Sequence, residues 1–502
     1  LFLRFRPITV KSLIIPKSIT LFKVGNKEPT PLNSHLSVII LAAGKGTRMH
    51  SRYPKVLQSL AGIPLLQRVI QTVGRLSPEQ LLIVRGSAQQ PLYEPLLPKK
   101  STCRIDWVYQ KEQLGTGHAV SQALAHLSPT AKYVLVLCAD MPLITAESLN
   151  ALIKPLSSST LRLLTGTFND PTGFGRIVRN TAGKIQAIIE EKDATPEQRQ
   201  ITEINSGVYA FPIAILHDII PALTNKNYQE EYYLTDVVSH AVKRGFTVSA
   251  VSPQFPEEIQ GINTFAQLAQ LERVYQKRLA ESWLAKGVHI LDPNRFDVRG
   301  NIDDIHIAPD VRIDVNVILE GKINLSTNVT VGPNVYLKDT VVCTGASVLA
   351  NSYIEGATIG EAARVGPFAR IRRSTHIGAH AGIGNFVEIK ESQIGEHSKI
   401  NHLSYVGDTT VGSHVNIGAG TITCNYDGAN KHPTVLEDQA SIGAGVKLIA
   451  PVVVGQGATV GAGTIVTKDV PAATLLYNRL EICLRSDWQR PKKEAPAVPE
   501  EK

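Results

Sequence analysis

The sequence predicts two unlike halves: an α/β domain and a parallel β-solenoid, with a helix between them. Three observations carry this. Ser37-Val-Ile-Ile-Leu-Ala-Ala43 is an apolar run that ends in a Gly-rich loop. A stretch from Thr264 to Lys286 spaces Leu268, Leu271, Val274, Tyr275 and Leu279 as one face of a helix. From Ile307 to Val466 an aliphatic residue recurs at six-residue steps, at Ile307, Ile313, Leu319, Leu325, Val331 and Leu337 and again at Ile442, Val454, Val460 and Val466. A period of six fits neither a helix nor a single strand. It fits coils with three flat faces, one aliphatic side chain per face pointing inward. Gly often follows the aliphatic residue, as in Ile359-Gly360, Ile377-Gly378 and Ile417-Gly418. The expected reason is a sharp backbone turn at that position.

A chain of 502 residues is too long for one ordinary core, and 43% apolar residues suffice for globular packing. No apolar run is long enough for a membrane span. The five cysteines (Cys103, Cys138, Cys343, Cys424, Cys483) are scattered, without metal-ligand or disulfide spacing, which points to a reducing compartment. Of the net charge of +8, the first 36 residues contribute six Lys/Arg against one acid, Glu28. The remainder is only mildly basic and sparse in aromatics, so a nucleic-acid surface is not expected, whereas small phosphate-bearing substrates are. Residues 1–36 read as a transit peptide or as translated upstream sequence, and stand outside the fold.

The apolar run before Ala43 reads as a buried parallel strand. In the loop Gly44-Lys45-Gly46-Thr47-Arg48, two glycines would let backbone N–H groups converge on a phosphate, with Lys45 and Arg48 supplying opposite charge. It is neither a P-loop nor a dinucleotide fingerprint. Lys55 follows within reach of the same phosphates. Gln110 and Gly115-Thr116-Gly117-His118 offer amide and hydroxyl groups to a base edge. Tyr133-Val-Leu-Val-Leu137 is a second buried strand, ending at Cys138-Ala139-Asp140. A carboxylate at such a strand end suits a hard cation shared with phosphates; the same residue type also serves as a helix N-cap.

These residues resemble the sugar-phosphate nucleotidyltransferases. More narrowly they resemble the bacterial bifunctional N-acetylglucosamine-1-phosphate uridylyltransferase/glucosamine-1-phosphate acetyltransferases. The motifs are Leu41-Ala-Ala-Gly-Lys-Gly-Thr-Arg-Met49, Pro54-Lys55-Val56, Gln113-Leu-Gly-Thr-Gly-His118, Asp170-Pro-Thr-Gly-Phe-Gly-Arg176, Glu190-Glu-Lys-Asp193, Glu203-Ile-Asn205 and Gly261-Ile-Asn263. The resemblance implies a Rossmann-like domain with a mixed sheet over 37–265, a helical linker over 266–287 and a left-handed β-helix of hexapeptide repeats over 288–493, while the tail over 494–502 is too polar and proline-bearing to fold and is expected to be disordered. It implies that Leu41, Ala42, Ala43, Gly44 and Lys55 line the uridine diphosphate sugar, with Gln110, Gly115 and Thr116 near the uracil and Cys138, Ala139 and Asp140 beside them. Gly175, Glu190 and Asn205 would hold the sugar, and Asp140 and Asn263 would bind Mg²⁺. Arg48 and Lys55 would neutralise charge as the sugar phosphate attacks UTP. Asn263 is also placed to cap the helix that follows.

In the second half the six-residue step fails for about twenty residues after Ile417-Gly418, through Thr421-Ile-Thr-Cys-Asn-Tyr-Asp-Gly-Ala-Asn430, and resumes at Ile442. Repeat proteins place function in loops ejected from the coil. Asn401-His402-Leu-Ser-Tyr405-Val-Gly-Asp408, Gly366-Pro-Phe-Ala-Arg370-Ile-Arg372 and Gly384-Asn-Phe-Val-Glu-Ile-Lys390 resemble the acetyltransferase half of the same family. The resemblance implies that Arg372, Lys390, Tyr405 and Asn416 hold glucosamine 1-phosphate and that His402 is the general base. Asn425, Tyr426, Ala419, Ala444, Ala462 and Arg479 would contact acetyl-CoA. It further implies a cytoplasmic homotrimer. Three departures stand out: Ala444 where Ser is usual, Arg373 where Pro is usual, and Ile83-Val-Arg-Gly-Ser-Ala-Gln89 without a His-Gly pair. A prism that only assembles copies of the chain is the competing reading, and a binding scaffold without activity is a third.

Overall fold

The computed structural model describes residues 35–44, 46–86, 103–154, 156–479 and 483–491. The expected extension up to residue 34, Lys45 of the Gly-rich loop, residues 87–89 of the segment without a His-Gly pair and the tail from 494 lie outside these. Two compact units divide the chain, the first within Leu1–Gly44, Ile70–Ala139 and Ile144–Ile259 and the second within Lys45–Val69, Asp140–Leu143 and Gln260–Lys502. No helix among the described residues is long and apolar enough to cross a membrane.

The first unit is built on a nine-stranded mixed sheet. Its main path runs Thr247–Val251, Thr160–Thr167, Glu203–Pro212, Tyr133–Cys138, Leu36–Ala42, Gln80–Arg85, Arg104–Tyr109. Leu36–Ala42 lies parallel between two neighbours, with Val38 opposite both Leu81 and Leu135. A strand so placed is covered on both faces, which is why it reads as unbroken aliphatic sequence rather than as alternation. Val38, Ile39 and Ile40 are fully buried. Glu203–Pro212 runs antiparallel to both its neighbours and makes the sheet mixed. The order of strands reverses between Leu36–Ala42 and Tyr133–Cys138, and open α/β sheets bind ligands beyond the carboxyl ends of such a pair. Helix Thr116–Leu124 packs its small face, Ala119, Val120 and Ala123, into the same core.

In the second unit the expected helix spans Phe265–Leu284. Thr264 is its N-cap: the Thr264 hydroxyl accepts from the Gln267 N–H at 3.2 Å, and Gln267 Oε1 accepts from the Thr264 N–H at 3.1 Å. This reciprocal pair satisfies two otherwise orphaned donors and leaves the side chain of Asn263 free of capping duty. The helix seats on the first coil of the solenoid through Trp283, edge-on to Phe296 at 5.7 Å. Buried Gln276 binds both backbone groups of Val298, donating to the carbonyl at 2.7 Å and accepting from the N–H at 2.8 Å, as a neighbouring strand would.

The solenoid is a left-handed parallel β-helix of hexapeptide repeats. Its rungs are in register from coil to coil: Val348 on Val365 on Ile383 on Ile400 along one face, Leu337 on Ile354 on Ile371 on Ile389 along the next, Val342 on Ile359 on Ile377 on Ile394 along the third. One coil therefore takes 17 or 18 residues, three of the six-residue steps. The inward column has no polar side to hide, so a truncation there leaves a void. Ile389→Ala, between Ile371 and Val406, is expected to cost about 2–5 kcal/mol, read as a lowered melting temperature of the prism.

The turn explanation for the recurring Gly is corrected by the structure. After Val331, Ile359, Ile377 and Ile383 the left-handed φ falls three residues on, at Asn334 (58°), Ala362 (52°), His380 (57°) and Phe386 (56°), not at the Gly that follows the aliphatic. What demands Gly directly after the aliphatic is the next coil: a Cβ on Gly378 would stand 2.8 Å from the Glu396 nitrogen, and one on Gly418 would stand 2.6 Å from the Ala444 nitrogen. The interruption is also narrower than the sequence pattern indicates. Thr423 and Leu436 occupy inward positions, stacked on Leu448 and on Val411. Thr423 reads as polar, but its hydroxyl is buried and accepts from the Gly407 N–H at 2.8 Å. The excursion is confined between strands Ile422–Cys424 and Thr434–Leu436.

Candidate active sites

In the first unit the candidate residues gather in two places. Ala42, Ala43 and Gly44 continue the central strand, and the Leu41 carbonyl accepts from the Ala139 N–H at 3.0 Å, tying that strand end to Cys138-Ala139. Gln110 is buried and its amide is already engaged, donating to the Gly115 carbonyl at 3.2 Å and meeting His118 Nδ1 at 3.0 Å. Thr116 accepts from the Leu234 N–H at 3.1 Å. Gln113, not singled out in the sequence, donates to the Ala43 carbonyl and fixes the loop after the strand.

The second place joins Gly175, Glu190 and Asn205. The Gly175 carbonyl accepts from the Asn205 N–H at 2.8 Å. A Cβ on Gly175 would lie 3.5 Å from Glu190 Oε2 and 3.6 Å from Asn205 Cβ, so the missing side chain is what opens this corner. Glu190 accepts from the Thr235 hydroxyl at 3.1 Å. Burial pushes its carboxyl above the ordinary range, against the opposing effect of that hydrogen bond. Thr235 and Tyr209 were not found by sequence reasoning; they lie 45 residues from Glu190 and four from Asn205, and no motif connects them.

In the second unit Lys55, Asp140 and Asn263 come together from 85 and 208 residues apart. Lys55 Nζ lies 2.5 Å from Asp140 Oδ2 and 3.0 Å from Asn263 Oδ1, and Lys55 and Asp140 are both mostly buried. The Asp140 carbonyl accepts from the Ile262 N–H at 3.0 Å, which holds Asn263 beside it. Two hard oxygens thus face one point, and a cationic nitrogen already sits there. That donor set fits Mg²⁺, which takes one or two protein oxygens and leaves its other positions to phosphates and water. Among the described residues no cluster of three or more His, Cys, Asp or Glu is suited to a metal, so an ion at Asp140 would depend on its substrate for ligands. Gly46, at φ 63°, packs against Lys55: a Cβ there would come within 2.7 Å of Lys55 Cβ. Arg48 is exposed on the short turn Thr47–Met49.

On the prism the residues fall into order along a corner. His402 ends strand Lys399–His402 and is in register with Asn385. Each stands two residues after an inward aliphatic, Ile400 and Ile383. Ala419, Ala444 and Ala462 stand two residues after Ile417, Ile442 and Val460, which stack in turn on Ile400. Asn385, His402, Ala419, Ala444 and Ala462 therefore form one column up a single corner. His402 Nδ1 donates to Asn385 Oδ1 at 2.9 Å. The carboxamide oxygen accepts only, so the proton is on Nδ1 and the lone pair is on Nε2. The sequence motif contained Asn385 but gave no reason to select it.

Several of the remaining candidate groups are paired. Arg372 binds Glu388 at 3.0 Å. Lys390 and Lys431 share Glu391 at 3.3 and 3.5 Å, which brings a second ammonium, from the ejected segment, to the place expected for a phosphate. Lys431 is a functional candidate that sequence reasoning missed. Asn425 is buried and donates to Asp408 and, at 3.4 Å, to the Tyr405 hydroxyl. Tyr426 is 63% exposed, a large ring held out to solvent. The turn beyond it is closed by Asp427, which binds His432 at 2.6 Å. Its carboxyl is held far below the ordinary range, first by the Asn430 N–H, then by His432 and the Ala429 N–H. Asn416 is exposed one residue before Ile417. Arg479 is exposed past the last rung, Leu475–Leu476.

Residues 38–199 match the MobA-like NTP transferase domain family, and residues 301–381 match the GMPPB C-terminal domain family. Among curated proteins, the chain is 48% identical over 455 residues to the bifunctional protein GlmU of Methylococcus capsulatus, covering 91% of this chain and 97% of that one. It is 48% identical over 459 residues to that of Stutzerimonas stutzeri, covering 91% and 100%. It is 47% identical over 457 residues to that of Acinetobacter baylyi, covering 91% and 99%.

Proposed function

From the premise that this chain belongs to the family of bifunctional GlmU proteins, we propose that it makes UDP-N-acetylglucosamine in two steps, one in each half. Acetyl-CoA acetylates glucosamine 1-phosphate on the prism, and UTP then uridylylates N-acetylglucosamine 1-phosphate on the α/β domain. The observation that carries this reading is His402: its Nδ1 is spent on Asn385 and its Nε2 is open, on the corner where Ala419, Ala444 and Ala462 follow.

In the acetyl transfer the amine of glucosamine 1-phosphate attacks the thioester carbonyl. The C–S bond breaks as the C–N bond forms, His402 Nε2 takes the proton the amine must lose and passes it to the departing sulfur, which leaves as the thiol of coenzyme A. Asn385 holds the imidazole in the tautomer that makes this possible. Arg372, Lys390, Tyr405 and Asn416 bind the sugar phosphate, with Lys431 adding charge. Ala419, Asn425, Tyr426, Ala444, Ala462 and Arg479 bind acetyl-CoA. The Ala444 methyl donates no hydrogen bond where a Ser hydroxyl would, which weakens coenzyme binding and leaves the base untouched.

In the uridylyl transfer an oxygen of the sugar phosphate attacks the α-phosphorus of UTP and pyrophosphate departs. No protein nucleophile is required, so positioning and charge neutralisation supply the acceleration. Asp140 and Asn263 would hold Mg²⁺, which would supply positive charge to the phosphates. Lys55 and Arg48 carry further positive charge to the phosphates. Leu41, Ala42, Ala43 and Gly44 line the nucleotide, Gln110, Gly115 and Thr116 read the uracil with Cys138 and Ala139 beside them, and Gly175, Glu190 and Asn205 hold the sugar. The enzyme works as a cytoplasmic homotrimer, with 37–265 and 288–493 as its two catalytic domains and 266–287 as the link.

Release of coenzyme A thiol on mixing the protein with acetyl-CoA and glucosamine 1-phosphate, without UTP, tests the reading. Release that requires the sugar phosphate supports it. No release, from protein that forms UDP-N-acetylglucosamine from UTP and N-acetylglucosamine 1-phosphate, reduces the prism to a device for assembly.

A further inference from the structure

Strand Glu203–Pro212 carries an irregularity that its sheet does not require. Against Thr160–Thr167, Asn205 lies opposite Thr165 while Tyr209 lies opposite Leu163, so four steps of one strand span two of the other. Gly207, at φ 80°, sits in the bulge. Bulges concentrate next to active sites because they re-aim side chains. The side chains re-aimed here meet each other: Asn205 Nδ2 donates to the Tyr209 hydroxyl oxygen at 2.7 Å, in a buried pair.

The other end of the same carboxamide is also held, since Asn205 Oδ1 accepts from the Gly207 N–H at 3.2 Å. A backbone N–H only donates, so this contact identifies the oxygen and leaves the Tyr209 oxygen as the acceptor. Tyr209 is 2% exposed and stacks on Phe211 at 5.5 Å. Its phenol is pushed well above its usual range, first by burial and then by the charge of Glu190, so it remains a neutral hydroxyl. With one N–H given to Tyr209 and one lone pair to Gly207, the carboxamide keeps one N–H and one lone pair, both fixed in direction. A donor and an acceptor side by side match a sugar hydroxyl or acetamido group, each of which also donates and accepts.

We propose that Tyr209 is a positioning residue for uridylyl transfer: its phenolic oxygen locks the Asn205 carboxamide in the orientation that receives the sugar of the sugar phosphate. This rests on the reading of Asn205 as a sugar-holding residue. The ring fills the core and the oxygen aims Asn205, so the two contributions separate in Tyr209→Phe, which keeps the ring.

The test is a double-mutant cycle on the full-length protein, with steady-state KM for N-acetylglucosamine 1-phosphate and for UTP. Tyr209→Phe is expected to raise KM for the sugar phosphate about three- to tenfold, the worth of one hydrogen bond. KM for UTP and acetyl transfer are expected to stay unchanged, and the melting temperature to fall by only a few degrees, as loss of one buried hydrogen bond in a large chain requires. Asn205→Ala is expected to raise the same KM at least as far, and adding Tyr209→Phe to it is expected to change nothing more, because the second residue acts through the first. A silent Tyr209→Phe beside an impaired Asn205→Ala overturns the inference, as do effects that multiply in the double variant. A silent Asn205→Ala removes the sugar-holding reading itself, and the inference with it.

Discussion

Replacing His402 with Ala is expected to lower acetyl transfer by about 10²–10⁴-fold, the usual worth of a positioned general base, and to leave uridylyl transfer unaltered. The argument is geometric. The imidazole ends a strand and its side chain is exposed, so its loss opens no void in the prism, whose inward column at this coil is Ile400. Its Nδ1 bond to Asn385 fixes Nε2 as the proton acceptor, and Ala offers no acceptor at all. Without it the amine must give its proton to water while it attacks, and the barrier rises accordingly. The measurement is coenzyme A thiol release with glucosamine 1-phosphate, beside pyrophosphate release from UTP with N-acetylglucosamine 1-phosphate. A variant that keeps full acetyl transfer assigns the base elsewhere. One that loses both activities denies the division of labour between the halves.

What the sequence made legible, and what it hid, follows from the range of the interactions. The inward rungs were readable because each lies six residues from the next, and Leu319, Leu325, Val331 and Leu337 declare the period without any three-dimensional knowledge. The central strand was readable because burial on both faces leaves nothing but aliphatics between Val38 and Leu41. Thr423 was unreadable as a rung because its hydroxyl finds a backbone partner one coil away, Gly407. The same distance explains the glycine error: the crowding that excludes a Cβ at Gly418 comes from Ala444, 26 positions along the chain.

The candidate sites show the same division. Lys55, Asp140 and Asn263 were each found through the motif around them, yet the structure supplies their meeting, with the ammonium between the two oxygens. Asn385 and His402 are 17 residues apart, one coil, so the partner of the base becomes predictable only when the coil length is known. Tyr209 and Thr235 support Asn205 and Glu190 from behind. Residues of this kind carry no chemistry of their own and so leave no signature in a motif.

Asp140→Ala is expected to have the opposite effect from His402→Ala, lowering uridylyl transfer by about 10²–10³-fold, on the scale of losing one group that stabilises developing charge, with acetyl transfer retained. Two consequences of the substitution act together. The carboxylate and the Asn263 oxygen are the two protein oxygens proposed to hold the ion, and a divalent ion held by so few protein ligands loses most of its grip when the charged one is removed. Lys55 then loses its partner at 2.5 Å and keeps only the Asn263 carbonyl at 3.0 Å, so the ammonium is freed to wander from the place the phosphates must find it. Asp140→Asn separates the two, because it keeps an oxygen for Lys55 while removing the charge that attracts the ion. Binding of Mn²⁺ as a spectroscopic stand-in is expected to weaken in both variants. If Asp140→Asn retains both Mn²⁺ affinity and turnover, the charge of Asp140 does not hold the ion, and the residue serves as a tether for Lys55.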